Sequence, residues 1–133
     1  MNSNTLGMIV LALLAGGAVV AAFVSLKEEK MHSAQTMEIV IYKTKPGITP
    51  EAHRRHAEAA GAVLAMLDGF QGRSFSEGEK GEWVDVVYWR DLAAAEQAMK
   101  TASELNRQEI HDFFEDIDGG SIQMRHTTIR ARH

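Results

Sequence analysis

The sequence predicts an α+β protein: a domain of order βαββαβ, preceded by an N-terminal transmembrane helix. Three observations carry that prediction. The first 26 residues contain no Asp, Glu, Lys, Arg or His, so every charged side chain lies beyond Leu26. From Met37 onward, β-branched alternating stretches and alanine-rich helical stretches follow one another in a fixed order. The borders between them carry specific punctuation: Thr49 before Pro50, Asp91 before an alanine run, and glycines at the expected turns.

Leu6 to Leu26 holds 17 Ala, Val, Ile, Leu, Met or Phe residues among 21, the rest being Gly or Ser. As a helix it would rise roughly 31 Å, enough to cross a hydrocarbon core of about 30 Å. A cleaved secretory signal is the alternative. It calls for a basic n-region, whereas residues 1–5 offer only the α-amino group. Residues 1–26 are therefore expected to be a single-pass membrane anchor that contacts the bilayer through residues 6–26. Lys27 and Lys30 flank the span on its C-terminal side, which favours a cytoplasmic C-terminal domain. Residues 27–36 show no sustained apolar period and read as a linker to a domain at 37–133.

Within that domain, Met37 to Lys43 is β-branched and ends in a loop set by Pro46 and Gly47. Thr49 is an N-cap with Pro50 at the first helical position, so a helix is expected from Pro50 to about Leu67, stopped by Asp68 and Gly69. Phe70 to Glu77 and Glu82 to Arg90 are strands joined by a turn at residues 78–81. Asp91 caps a helix over Leu92 to Ala102. A further helical piece reaches about Asp116, with Ile110, Phe113, Phe114 and Ile117 on one stripe. Gly119 and Gly120 end it, and Ile122 to Arg130 alternates as a last strand.

Both faces of the first and third strands are apolar. Met37, Ile39 and Ile41 oppose Val40 and Tyr42, and Trp83, Val87 and Trp89 oppose Val84, Val86 and Tyr88. Two helices cover one face of a four-stranded sheet, so the other needs a second cover, and an identical sheet in a two-fold homodimer is the simplest.

Composition excludes several chemistries. Without cysteine there is no disulfide framework, no thiolate metal site and no cysteine nucleophile. A net charge of −4 with interspersed signs does not suit a nucleic-acid binder. His53 and His56 lie three residues apart on the first helix, and His56 falls in line with the apolar stripe, where it could act as a general base. No further ligand motif accompanies them, so no metal is expected. Asp85 shares a strand face with Trp83, Val87 and Trp89, where a carboxylate must be paired, hydrogen-bonded or protonated, with Arg73 or His126 as partner. His56 and Asp85 are the catalytic candidates. Tyr42 and Trp89 suit the stacking of a planar aromatic ligand, and His53, His111 and His126 complete the candidate binding residues. Glu115, Asp116 and Asp118 read as a solvated helix end.

The βαββαβ order, together with the segments Tyr42 to Gly47, Leu67 to Phe75 and Trp83 to Met99, resembles the antibiotic biosynthesis monooxygenase-like family of the dimeric α+β barrel superfamily. The resemblance spans roughly residues 37–130. It implies a ferredoxin-like protomer that pairs into a dimeric α/β barrel, with a pocket between sheet and helices. It also implies cofactor-independent oxygenation of a phenolic or quinol-like compound, or haem degradation, or a place among the family's many small proteins with no assigned chemistry. The haem-degrading pattern is unmatched: the first strand lacks an Asn, and the expected Trp and His positions fall near Ala98 and Gln108. The sequence thus supports a membrane-anchored, cofactor-free monooxygenase acting on a lipophilic aromatic, with a non-catalytic, membrane-tethered dimeric binding module as the alternative.

Overall fold

Thr36 opens the first strand of a four-stranded antiparallel sheet in a computed structural model that describes residues 26–133. The strands are β1 (Thr36–Lys43), β2 (Phe70–Glu77), β3 (Glu82–Trp89) and β4 (Gln123–Thr128), arranged β2-β3-β1-β4. Helices α1 (Pro50–Leu64), α2 (Leu92–Glu104) and α3 (Gln108–Glu115) connect the strands. This is the ferredoxin-like topology expected from the sequence. The expected bilayer-spanning segment lies outside the described residues apart from Leu26. Among the described residues, no helix is long and apolar enough to cross a membrane.

The helix starts follow their caps. Thr49 Oγ1 accepts the Ala52 amide at 3.2 Å, with Pro50 inside the first turn. Asp91 Oδ1 accepts the Ala94 amide at 2.8 Å. Helix α1 ends at Leu64 rather than Leu67, because residues 65–67 tighten into turns before Gly69, whose φ of 80° suits glycine.

Period-two alternation decides which side chains enter the core. In β3 the even positions are half-buried, whereas Trp83, Asp85, Val87 and Trp89 are buried beneath the helices. The antiparallel register sets Trp83 against Tyr42, Val87 against Glu38 and Trp89 against Thr36, so Thr36, Glu38 and Tyr42 face the same helices. Two apolar clusters result. One gathers Tyr42, Trp83, Val63, Ile110, Phe113 and Ile117, and the other gathers Val87, Trp89, Ala95 and Ala98 with Leu67 and Phe70.

The buried face of α2 consists of Ala94, Ala95, Ala98 and Ala102. Methyl groups alone cannot fill the space between a helix and a sheet, and this is where the interior stays open.

The opposite sheet face keeps its apolar character, with Met37, Ile39, Ile41, Val84, Val86 and Tyr88 all half-buried. The stretch expected to be a linker is helical over residues 26–33 and lies against this face. A Cβ at Gly72 would collide with Met31, and Ser33 Oγ donates to Gln71 Oε1 at 3.2 Å.

Candidate functional site

The open interior is a cavity of about 450 Å³, bounded by β1, α2, α3 and the start of β4. Its walls are mostly apolar, with Val40, Leu64, Ala98, Ala102 and Phe113 among them; Tyr42 and Trp89 join from the sheet, and Ser103, Arg107 and His111 from the α2–α3 side. One carboxylate lines it, that of Glu38. Glu38 is 5% exposed and occupies the same strand face as Val40 and Tyr42. His126 Nε2, one strand away on β4, lies 2.8 Å from Glu38 Oε2 and donates to it when the carboxyl is ionised. Burial pushes the Glu38 carboxyl above the usual value of 4.5; His126 opposes that shift, and the charge of Asp85 adds to it.

A second polar group lies beside the cavity, beneath α1. The Tyr42 hydroxyl and His53 Nε2 are 2.7 Å apart, and His53 Nδ1 and Asp116 Oδ2 are 2.8 Å apart. His56 Nδ1 reaches the same oxygen of Asp116 at 2.8 Å. Ionised Asp116 can only accept, so both imidazoles donate from Nδ1. The Nε2 of a neutral His53 then accepts the Tyr42 O–H. Burial holds His53 below the ordinary histidine value and Tyr42 well above the ordinary phenol value, in keeping with this neutral arrangement. His53 is fully buried, its ring stacked on Phe113 at 5.4 Å and edge-on to Trp83 at 4.9 Å.

The third group is an ion pair. Arg73 Nε and Nη2 grip Asp85 Oδ1 and Oδ2 at 2.7 and 2.6 Å, and Arg73 Nη1 donates to the Ala57 carbonyl of α1. Asp85 is thus fully paired within the core, with Arg73 as its partner.

These contacts sort the residues singled out from the sequence. Tyr42, Trp89 and His111 line the cavity. His53, His56, Asp85 and His126 do not, although His126 acts on it through Glu38. His53, rather than His56, is the core histidine: the His56 side chain is 39% exposed and touches the network only at its edge. His111 is exposed and pairs with Asn106 Oδ1 at 2.9 Å. Trp89 Nε1 is buried with no hydrogen-bond partner among the described residues. No cluster of three metal-ligating side chains occurs among those residues.

Two buried side chains of these polar groups escaped the sequence reading. Glu38 carried a usable signal, since alternation from Val40 and Tyr42 places it on the helix-covered face. Asp116 carried none. It is 5% exposed instead of solvated, because the end of α3 is tied to the end of β1. Thr44 bridges Ile117, the Lys45 amide donates to the Asp116 carbonyl at 2.8 Å, and the Asp118 amide donates to the Lys43 carbonyl at 2.9 Å.

No protein-family model and no curated relative matches the sequence. Solved structures do match. A Bordetella bronchiseptica protein inferred to be an antibiotic biosynthesis monooxygenase superposes with a TM-score of 0.62 at 13% identity, covering 74% of this chain and 99% of its own. The chain has the antibiotic biosynthesis monooxygenase fold. The Streptomyces coelicolor ActVA-Orf6 monooxygenase, solved with nanaomycin D, matches with a TM-score of 0.55 at 16% identity over 77% of this chain and 93% of its own. A hydroxynitrile lyase from Passiflora edulis matches comparably, with a TM-score of 0.54 at 11% identity over 76% of this chain and 98% of its own. One fold therefore serves more than one reaction, and the site must carry the functional argument.

Proposed function

We propose that this protein is a membrane-anchored, cofactor-independent monooxygenase acting on a lipophilic aromatic or quinol-like compound, and that it works as a homodimer of stacked sheets. The observation that carries the reading is the cavity: about 450 Å³, almost wholly apolar, with a single carboxylate in its wall. Such a space suits a flat, poorly soluble ligand with few polar groups. A phenol or quinol ionised there becomes electron-rich and reacts directly with oxygen, without a resident redox group. An apolar segment at residues 6–26 would keep the cavity beside bilayer-dissolved substrate. Lys27 and Lys30 favour a cytoplasmic domain.

The runner-up is a tethered binding module without catalysis. It draws on the observation that Asp85 and His53 are both absorbed by structural partners. Oxygen uptake by the full-length protein with a panel of hydrophobic quinols separates the two readings, using Ala102→Phe to fill the cavity. Turnover in the wild type that Ala102→Phe abolishes supports the enzyme. Ligand binding without oxygen uptake favours the module. Neither binding nor uptake overturns both.

A further inference from the structure

We propose that Glu38 is the proton acceptor of the cavity, taking the hydroxyl proton of a bound phenolic compound while His126 holds its carboxylate in place. The inference rests on the small-molecule reading of the cavity and adds to it the residue that would touch the ligand. Geometry carries the assignment. Glu38 is the sole acidic side chain in a wall otherwise dominated by hydrocarbon. Its Oε2 accepts from His126, so Oε1 is the oxygen left to receive a ligand. The rival carboxylates are spent: both oxygens of Asp85 lie on Arg73, and Asp116 Oδ2 is shared by two histidines, neither of which lines the cavity.

The step itself is a simple transfer. The ligand O–H bond breaks, its proton goes to a Glu38 oxygen to give the carboxylic acid, and the electron pair stays on the ligand as phenolate. His126, with its side chain 22% exposed, pairs with that carboxyl group at 2.8 Å. It serves as a positioning residue that orients the carboxylate. The charged and titratable groups facing Glu38 come from every neighbouring element: His126 from β4, Asp85 with its Arg73 counterion from β3 and β2, Tyr42 from its own strand, and Arg107 and His111 around the α3 side of the cavity. Burial of the carboxylate favours proton uptake, the direction a general base needs.

The test compares 2-naphthol with 2-methoxynaphthalene, which is the same shape but has no proton to give, by calorimetry on the full-length protein. In the wild type near pH 8, 2-naphthol should bind about tenfold more tightly or better, as a hydrogen bond to a buried carboxylate warrants. Glu38→Gln should lose most of that preference while binding 2-methoxynaphthalene as before. The wild type supplies a readout independent of that variant's folding. Its preference should fall as the pH is lowered, because a protonated Glu38 no longer accepts a proton. His126→Ala should move the midpoint of that fall. A preference that survives in Glu38→Gln, or that is flat with pH in the wild type, overturns the assignment while leaving the cavity reading intact. Failure of both compounds to bind the wild type overturns the cavity reading, and this assignment with it.

Discussion

His53 and His56, one turn apart on α1, donate to the same carboxylate oxygen of Asp116, each at 2.8 Å. The two bonds differ in setting. His53 lies in a dry aromatic cage, whereas His56 opens to water. Removing the shared acceptor would strand the buried Nδ1–H of His53, while His56 would turn to solvent. Asp116→Ala is therefore expected to cost about 2 to 3 kcal/mol, most of it from His53. His56→Ala should cost under about 1 kcal/mol, as a half-exposed pair does. Urea unfolding of the three proteins at neutral pH measures both, and equal losses would contradict the asymmetry.

The same burial makes stability depend on pH, with two groups pulling in opposite directions. His53 has a folded value below its ordinary 6.5, so its contribution is present above that pH and is lost as the pH falls through the depressed value. Glu38 has a folded value raised above 4.5, so its contribution is present below 4.5 and is lost as the pH rises through the raised value. His53→Gln should flatten the loss of stability on acidification below about pH 6, and Glu38→Gln should flatten the loss on the rising side. Denaturant midpoints taken between about pH 4 and pH 8 give the slopes. An acid limb unchanged in His53→Gln would show that other groups control it.

Arg73 and Asp85 form a bidentate pair with both side chains under a tenth exposed. Asp85→Ala leaves a buried guanidinium uncompensated and is expected to cost about 3 to 5 kcal/mol. Replacing both residues, with Arg73→Met and Asp85→Leu, should recover much of that loss. Gly61 reports on the same pair from above. A Cβ there would stand 2.7 Å from Arg73 Nη1, which cannot swing aside without releasing Asp85 and the Ala57 carbonyl. Ala normally gains about 1 kcal/mol over Gly inside a helix. Gly61→Ala should nonetheless be destabilising, by about 1 kcal/mol net, as overpacking against a pinned group outweighs propensity. A stabilised Gly61→Ala, read by the thermal midpoint, would show that Arg73 is loosely held.

Local signals account for the fold and only part of the site. Thr49, Pro50 and Asp91 announce the helices they cap, and strict alternation in β3 foretells that Asp85 is buried with Trp83 and Trp89. What alternation cannot tell is who meets whom. Asp85 found Arg73 through the β2–β3 register, and His126 found Glu38 through the β1–β4 register, both long-range pairings. Asp116 is further from legibility, since its burial depends on a bridge between Thr44 and Ile117. His53 rather than His56 is the buried histidine because a small change in helix rotation separates core from rim, and Leu64 rather than Leu67 ends the helix. The cavity is written in the sequence only as an absence: four small side chains on α2 where larger ones would close the interior.

The outer sheet face carries the remaining prediction. Ile39 pairs directly with Val86 across β1 and β3, at the centre of a surface that also includes Ile41, Val84 and Tyr88. The helical residues 26–33 reach Gly72 at one side, through Met31. If a second copy stacks on the centre, a charge introduced there must be buried without a partner, which costs several kcal/mol per site. Two-fold symmetry doubles that penalty, because each substitution appears on both sheets. Ile39→Glu is therefore expected to shift the full-length protein from dimer to monomer in sedimentation, while its helix content and ligand binding persist. Ser74→Glu, on the exposed β2 partner of Val86, lies nearer the sheet edge and should weaken association less. A wild type that sediments as a monomer at micromolar concentration, or an Ile39→Glu protein that remains dimeric, would mean that the sheets do not stack through this face.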